Sequence, residues 1–360
     1  MRISRQSWPK RRIFLVVALA LIGGTLMFCS PGYIIRAGIE EAKILSGRQP
    51  IEDLLASPLT EEGTREKLAL VRMARTFASR ELGLDVGASY TTYSDLGRDT
   101  LLLVVTGARR DAFVPVTWWF PIVGRVPYKG FFDPDDARAE ARRLEREGYD
   151  AAVRPAGAFS TLGWFNDPLL STTLRYDDVS LASTVIHEVT HNTVFLKGRV
   201  AFNESFASFV GDRGAVELFC GLEGEDGARC VRAREEWADA LAFGDALGVL
   251  IAELEAVYAR KDLDSDAKIA ARDEVIDGWK ARFRRDVAPR LHGPLARFHR
   301  GEVNNATLIG LRLYYHRLDL FEDTYRRLGV PLKEAIARMI EAAESSPDDP
   351  FEAVARLASR

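Results

Sequence analysis

One short stretch of the chain reads His187-Glu188-Val189-Thr190-His191, and twelve residues (192–203) separate it from Glu204. The apolar run 181–186 leads into this stretch, and Asp177 or Asp178 offers an N-cap, so the pattern predicts a helix. Histidines four positions apart on a helix differ by about 40° of rotation, and both rings therefore leave the same face. That arrangement lets two imidazole nitrogens bind one metal ion at about 2.0–2.1 Å.

The interval after His191 contains Gly198, which favours the end of one helix before the start of another. A second helix that turns back can bring Glu204 to the metal as a third ligand and leave a fourth position open to water. Glu188 adjoins the first ligand without being one, so its carboxylate is placed to take a proton from that water. The spacing predicts one Zn²⁺ ion held by His187, His191 and Glu204. The alternative is a buried structural helix whose histidines are only hydrogen-bonded.

Length and charge limit the other possibilities. The chain has 360 residues, more than one ordinary core accommodates, so two lobes are expected. The net charge is −3, the pI is near 6.1, and no basic stripe with interleaved aromatic residues occurs. These features argue against nucleic acid as a partner.

Residues 1–29 have the composition of a targeting segment. Five basic residues precede Ile13–Phe28, sixteen residues without a charge, which is short for a membrane span but long enough for a signal peptide or an uncleaved anchor. Positive charge before the apolar run predicts that the rest of the chain crosses the membrane. Cys29 follows directly, as in bacterial lipoproteins, although Phe28 stands where those proteins have a small residue. We expect the periplasm or the outer face of a bacterial envelope membrane, with attachment through the anchor or through a lipid on Cys29.

The pattern along the chain predicts an α+β fold. We expect an N-terminal α+β lobe at 30–172 with a small mixed sheet and substrate-side strands, zinc-binding helices at 173–225, and a helical C-terminal lobe at 226–360. The strands are expected at Thr100–Thr106, Val114–Phe120, Val123–Tyr128 and Ala151–Ser160. The helices are expected at 33–84, from Asp133-Pro134 to about Glu147, and at 178–197, 203–219, 226–260, 264–288, 304–317, 318–328 and 331–345.

Two further cysteines lie just after the predicted zinc helices. Cys220 and Cys230 can form a disulfide across a short loop in an oxidising compartment. The alternative is a pair of separate buried thiols.

Several stretches spread over the chain carry a family resemblance. They are Arg75–Leu84 (RTFASRELGL), Phe120–Gly124 (FPIVG), Tyr128–Asp133 (YKGFFD), Ser160–Thr172 (STLGWFNDPLLST), Ala201–Ala207 (AFNESFA) and Asn304–Ala306 (NNA). From about residue 32 to 330 the chain resembles the predicted zinc aminopeptidases of the bacterial cell envelope. The resemblance implies a zincin-like catalytic region acting on a peptide substrate. The site is similar to that of gluzincins, whose third ligand is a downstream glutamate.

The chain also departs from the better-known gluzincins. Its ligand interval is shorter than in thermolysin or in alanyl-type aminopeptidases. Ser208 stands where thermolysin-like enzymes place an aspartate that orients a histidine ligand, and Asp212 is only a weak substitute.

The expected reaction needs a hydrogen-bond donor for the oxyanion. Tyr315 is our candidate, because 3.6-residue periodicity places it on one helix face with Asn304, a candidate substrate-binding residue. That face consists of Asn304, Leu308, Leu311 and Tyr315. The alternative is that this face is ordinary core, and Tyr314 is the second candidate donor.

The stretch before the zinc helix is a candidate for the strand that pairs with peptide substrates in gluzincins. Gly163 permits close approach of the backbone, Trp164 can wall a side-chain pocket, and Asp167 can bind a free α-ammonium group. An acidic anchor of this kind distinguishes an aminopeptidase from an endopeptidase. The alternative for Asp167 is a plain turn at 166–168.

Together these features predict a zinc metallopeptidase, more narrowly an aminopeptidase that removes N-terminal residues from peptides with Glu188 as general base. Two alternatives stay open, a zinc endopeptidase of the cell envelope and a non-catalytic envelope scaffold with a structural zinc site. The intact Glu188 favours an enzyme, because a structural site needs no base.

Overall fold

The computed structural model describes residues 44–98, 100–120, 124–156 and 168–358. The predicted targeting segment 1–29 with Cys29, and the predicted substrate-binding residues Gly163, Trp164 and Asp167, lie outside these ranges. Among the helices within these ranges, none combines the length and the apolar character needed to cross a membrane.

Short strands come from the N-terminal half of the chain. They are β1 (Gln49–Pro50), β2 (Thr92–Ser94), β3 (Leu102–Arg109), β4 (Trp118–Phe120), β5 (Gly124–Val126), β6 (Tyr128–Phe131), β7 (Tyr149–Ala156) and β8 (Leu169–Leu170). The expected single mixed sheet is divided into smaller ones. Strands β1, β2 and β8 form a mixed sheet, β6, β3 and β7 form an antiparallel sheet, and β4 and β5 form a separate hairpin. Strands of two to four residues offer too few ladder hydrogen bonds to build one continuous sheet.

The rest of the described chain is mostly helical, which confirms the predicted α+β class. In chain order the helices are α1 (Ile51–Ala56), α2 (Glu62–Arg80), α3 (Pro134–Arg146), α4 (Asp178–Thr193), α5 (Val200–Glu223), α6 (Ala228–Ala259), α7 (Ser265–Arg282), α8 (Asn305–Tyr315), α9 (Leu318–Leu328), α10 (Leu332–Ser345) and α11 (Pro350–Leu357). Helix α7 continues into a π-helical turn at Phe283–Val287, and 3₁₀ turns occupy Thr173–Arg175, Ala288–Arg290 and Pro294–Arg300.

The antiparallel sheet has two different faces. On one face Val105 and Phe131 pack against Leu144 of α3. On the other face Thr106 donates a hydrogen bond to the carbonyl of Ala306 in α8. Directly paired residues share a face of the sheet, and so do residues two positions apart on one strand. Thr106 pairs with Tyr128, and Val104, two positions before Thr106 in β3, pairs with Arg154. Tyr128 and Arg154 therefore lie on the face that α8 covers.

The main core joins both halves of the chain. Leu68 of α2, Val185 of α4, Phe206 of α5, Phe321 of α9 and Met339 of α10 are all buried in one apolar cluster. A helix from the predicted N-terminal lobe thus shares its core with the predicted zinc helices. A second cluster packs α6 against α7 and α8 through Phe243, Trp279 and Leu308.

A buried ion pair connects the antiparallel sheet to the helical half. Asp150 of β7 lies 2.7 Å from Arg272 of α7, and the Asp150 and Arg272 side chains are 8% and 5% exposed. The same carboxylate accepts a hydrogen bond from the backbone N–H of Asn305 at the start of α8. Removing one partner of such a pair leaves a buried charge uncompensated, so this contact holds the sheet against α7 and α8.

A disulfide joins the end of α5 to the start of α6. It links Cys220 to Cys230, ten positions later. The alternative of two separate buried thiols is therefore wrong for this structure.

Helices α4 and α5 approach each other closely at glycines of α5. A Cβ added at Gly211 would lie 2.8 Å from the carbonyl oxygen of Ser183 and 3.1 Å from the Cβ of His187. A Cβ at Gly214 would lie 2.9 Å from a methyl group of Leu82. Only glycine at position 211 lets the backbone of α5 come this close to the helix that carries the histidines.

We predict that Gly211→Ala lowers the free energy of unfolding by about 1–3 kcal/mol, because the added methyl group must separate two packed helices. Urea unfolding followed by circular dichroism measures this change. The matched control is Gly221→Ala in the same helix, where a Cβ would meet nothing within 4 Å. This control should leave stability unchanged or raise it by up to about 1 kcal/mol. Equal effects of the two substitutions would contradict the role assigned to Gly211.

Candidate functional site

Helix α4 carries the two histidines of the motif on one face. Asp177 caps this helix, and its carboxylate accepts hydrogen bonds from the backbone N–H groups of Val179 and Ser180. The helix ends at Thr193, earlier than the predicted residue 197. Gly198 lies in the following loop with φ of 79° and does not form the helix end itself.

The short loop between the two helices is held by the residue before Glu204. Both polar atoms of the Asn203 side chain bond the backbone of Leu196, the oxygen accepting from its N–H and the nitrogen donating to its carbonyl, each at 2.9 Å. On the other side of Glu204, the hydroxyl of Ser205 donates to the carbonyl of Leu313 in α8. Glu204 is therefore fixed at the start of α5 by a contact to the loop and a contact to α8.

Three donor atoms from α4 and α5 meet at one point. The Nε2 atoms of His187 and His191 are 3.2 Å apart, and Oε2 of Glu204 lies 3.4 Å from His187 Nε2 and 3.8 Å from His191 Nε2. Their side chains are 14%, 6% and 22% exposed, so the group is recessed but open on one side. Within the described ranges, these residues form the one cluster of three that satisfies the geometry of a metal site.

The separations fit a tetrahedral zinc ion. With bonds of about 2.0–2.1 Å, ligands at tetrahedral angles lie about 3.4 Å apart. Two imidazole nitrogens and one carboxylate oxygen are also a donor set that zinc accepts, with a fourth position left for a small ligand. The three residues present therefore fit the metal that the sequence predicts.

The side chains of the same three residues shift one another's pKa values. Burial opposes the charged form of His187, but the carboxylates of Glu204, Glu188 and Asp212 together raise its pKa. Burial likewise disfavours the Glu204 carboxylate, and hydrogen bonding to His187 outweighs it and lowers the Glu204 pKa. Burial, with the neighbouring His187, lowers the pKa of His191 to about 4.

The second layer of the site differs from the thermolysin pattern. Nδ1 of His191 is buried and has no hydrogen-bond partner among the described residues. Asp212, the weak substitute named above, accepts a hydrogen bond from the hydroxyl of Ser183. Burial raises the pKa of Asp212 to about 6, although its charge still influences His187. The orientation of His191 is therefore set by packing and not by a carboxylate partner among the described residues.

Tyr314 lies against the candidate metal-binding group, which consists of His187, His191 and Glu204. Its ring stacks on that of His187, with centroids 6.2 Å apart and planes inclined by 30°. Burial, followed by the negative charge of Glu204, raises the pKa of Tyr314 to about 12, so its hydroxyl is a donor at neutral pH. Arg154 opposes this rise by its charge and by a hydrogen bond to Tyr314. Tyr128 is close enough for the Glu204 charge to contribute to a raised pKa, after burial as the main cause.

Tyr315, the predicted hydrogen-bond donor for the oxyanion, lies in the apolar core. Tyr315 packs edge-on against Phe243, with ring centroids 4.9 Å apart, and belongs to the apolar clusters on both sides of α8. Leu308 on the same face is fully buried. The alternative that this face is ordinary core therefore describes the structure, because consecutive residues on a helix point about 100° apart and Tyr314 takes the direction of the site.

Asn304 is the N-cap of α8. Its side-chain oxygen accepts a hydrogen bond from the backbone N–H of Thr307, and its nitrogen donates to the carbonyl of Ala151 and to Glu302. With 6% of its surface exposed, Asn304 is used to begin α8 and hold it on β7. This replaces the predicted substrate-binding role with a structural one.

Glu188 follows His187 on α4 and faces the neighbourhood of Tyr176. Burial raises the pKa of Tyr176, and the charge of Glu188 raises it further. Sequence reasoning missed Arg154, Tyr128 and Tyr176 as neighbours of the site. Tyr128 begins one of the stretches that carried the family resemblance, whereas Arg154 stands in a strand whose sequence gives no indication of the site.

Comparison with known proteins adds one match. No curated protein and no solved structure matches the chain. One family model, described as "Putative aminopeptidase", matches residues 32–352 and so includes both the metal-binding group and Tyr314. The chain therefore belongs to this aminopeptidase family.

Proposed function

We propose that the protein is a zinc-dependent aminopeptidase. Family membership supports peptidase activity in general. One observation carries the narrower proposal, namely the convergence of His187, His191 and Glu204 donor atoms at 3.2–3.8 Å from one another. The three side chains come from two helices held together at a glycine contact, which is the rigid support that a catalytic metal requires.

The residues around this group have separate tasks. A bound zinc ion supplies Lewis acidity, which polarises a peptide carbonyl and brings the pKa of water toward about 7. Glu188 accepts the proton of the attacking water and delivers it to the leaving amine. Tyr314 donates a hydrogen bond to the oxyanion, in place of the Tyr315 predicted above, because Tyr314 lies against His187 while Tyr315 lies in the core.

We also propose an oxidising location outside the cytoplasm, in the bacterial cell envelope. The Cys220–Cys230 disulfide supports this proposal, because such bonds persist mainly in oxidising compartments. The basic and apolar composition of residues 1–29 supports membrane attachment or export through that segment.

We predict that Glu188→Gln retains zinc but lowers kcat on aminoacyl nitroanilides by at least about 100-fold, because the amide cannot accept a proton. Metal content by mass spectrometry and initial rates measure the two effects. Peptides blocked at the N-terminus serve as the comparison, since an aminopeptidase should not cleave them. Turnover by Glu188→Gln equal to that of the unchanged protein would exclude Glu188 as the base, and rapid cleavage of blocked peptides would indicate an endopeptidase.

We predict that Glu204→Ala reduces bound zinc to a small fraction of one ion per chain, because it removes one of three protein ligands. Dialysis against a zinc buffer followed by metal analysis measures the loss. Glu217→Ala is the matched control, since Glu217 lies on the same helix and accepts a hydrogen bond from Tyr325 rather than contacting the histidines. Full retention of zinc by Glu204→Ala would show that the ion binds without this carboxylate.

We predict that Tyr314→Phe lowers kcat by about 10²–10³-fold with little change in KM, because only the hydroxyl donor to the oxyanion is lost. Tyr315→Phe is the matched substitution in the next residue and should leave kcat nearly unchanged, since its ring packing is kept. Steady-state kinetics on one peptide substrate compare the two. The reverse order of effects would restore Tyr315 as the donor.

A further inference from the structure

Arg154 is a cation beside the site that the proposed reaction does not use. Its guanidinium carbon lies 5.3 Å from the centre of the Tyr314 ring. The Tyr314 ring in turn stacks on that of His187, with centroids 6.2 Å apart. The arginine therefore lies at the wall of the site, on the sheet face that α8 covers.

Arg154 differs from the buried arginine that supports the fold. Arg272 is neutralised by Asp150 at 2.7 Å. Arg154 has no carboxylate within salt-bridge distance among the described residues, and its Nε is buried without a hydrogen-bond partner. A half-buried guanidinium with an unpaired Nε–H is costly unless an anionic group reaches it, because one of its five N–H donors is unsatisfied and its charge has no carboxylate partner among the described residues.

The two carboxylates beside the histidines are expected to be occupied during the reaction. Glu204 would bind the metal, and Glu188 would carry the proton, so this step rests on the function proposed above. A planar guanidinium can donate two parallel hydrogen bonds to the two oxygens of a carboxylate. Among the groups that a peptide carries, the carboxylate is therefore the best partner for Arg154.

We propose that Arg154 binds a carboxylate of the substrate next to the scissile bond, so that the site prefers peptides carrying a negative charge there. Two sources supply the same chemistry. One is the C-terminal carboxylate of a dipeptide, and the other is the side chain of an N-terminal glutamate or aspartate.

Three dipeptides separate these sources. Leucyl-alanine amide is neutral at both positions, leucyl-alanine adds the C-terminal carboxylate, and glutamyl-alanine amide adds the side-chain carboxylate. Two quantities are measured for each peptide with the full-length zinc-loaded protein. These are kcat/KM, and the dissociation constant by calorimetry in the Glu188→Gln variant, where the bound peptide is not consumed.

The proposal predicts that, relative to the neutral amide, one carboxylate peptide has a kcat/KM higher by roughly 10- to 100-fold and a dissociation constant lower by the same factor. Arg154→Gln should reduce this ratio to near one and change the values for leucyl-alanine amide much less. Arg154→Lys keeps the charge without the paired donors and should retain part of the ratio, which also serves if Arg154→Gln fails to fold by circular dichroism.

Arg213 supplies the matched control. Its guanidinium carbon lies 5.1 Å from the ring centre of Tyr325, and its Nε is buried without a partner among the described residues. Arg213 follows Glu204 by nine residues on α5, about 13 Å along the helix and half a turn around it. Arg213→Gln should therefore leave the preference for the carboxylate peptide unchanged.

The outcomes distinguish this inference from the proposed function. If all three peptides are cleaved and have equal kcat/KM and equal dissociation constants, the carboxylate site is overturned and the aminopeptidase proposal stays intact. If Arg154→Gln lowers kcat/KM equally for all three peptides, Arg154 acts on the reacting carbonyl or through Tyr314. That result would also overturn the carboxylate site. If no peptide is cleaved, the aminopeptidase proposal fails, and the dissociation constants still decide whether Arg154 binds a carboxylate.

Discussion

The contact between α4 and α5 at Gly211 is the constraint on which the site depends. The metal-binding group needs donor atoms from two helices at 3.2–3.8 Å, and this requires helix backbones closer than ordinary side chains allow. Because Gly211 has no Cβ, α5 can lie against Ser183 and His187. The surrounding core of α2, α4, α5 and α9 then holds this approach with large buried side chains such as Phe206 and Phe321.

Positioning of the carboxylate ligand follows from polar contacts at the start of α5. The Asn203 side chain hydrogen-bonds the backbone N–H and carbonyl of Leu196 in the loop, and the Ser205 hydroxyl donates a hydrogen bond to a backbone carbonyl of α8. The residues on both sides of Glu204 are therefore immobilised by hydrogen bonds, and the ligand needs little reorganisation to bind an ion. His191 depends more on packing, because its Nδ1 has no partner among the described residues.

The sheet and α8 form the opposite side of the site. Asp150 and Arg272 attach β7 to α7, and Asn304 and Asp150 fix the start of α8 on β7. These contacts place Tyr314 against His187 and Arg154 against Tyr314. Structural residues far from the metal-binding group thereby decide which polar side chains reach it.

The sequence by itself determined the α+β class, most helix positions and the three candidate ligands with Glu188 as the candidate base, because these follow from short-range periodicity, capping and spacing. It predicted α6 at 226–260 and α10 at 331–345, within a few residues of Ala228–Ala259 and Leu332–Ser345. Only the tertiary structure placed Tyr314, and not Tyr315, against His187, gave Asn304 its capping role, joined Cys220 to Cys230 and brought Arg154 against Tyr314. Adjacent residues on a helix differ by about 100°, and the packing of α8 between α6, α5 and the sheet selects which one faces the site. Arg154 in β7 and Tyr314 in α8 are more than 150 positions apart in the sequence, and no local sequence pattern predicts a contact between residues so far apart.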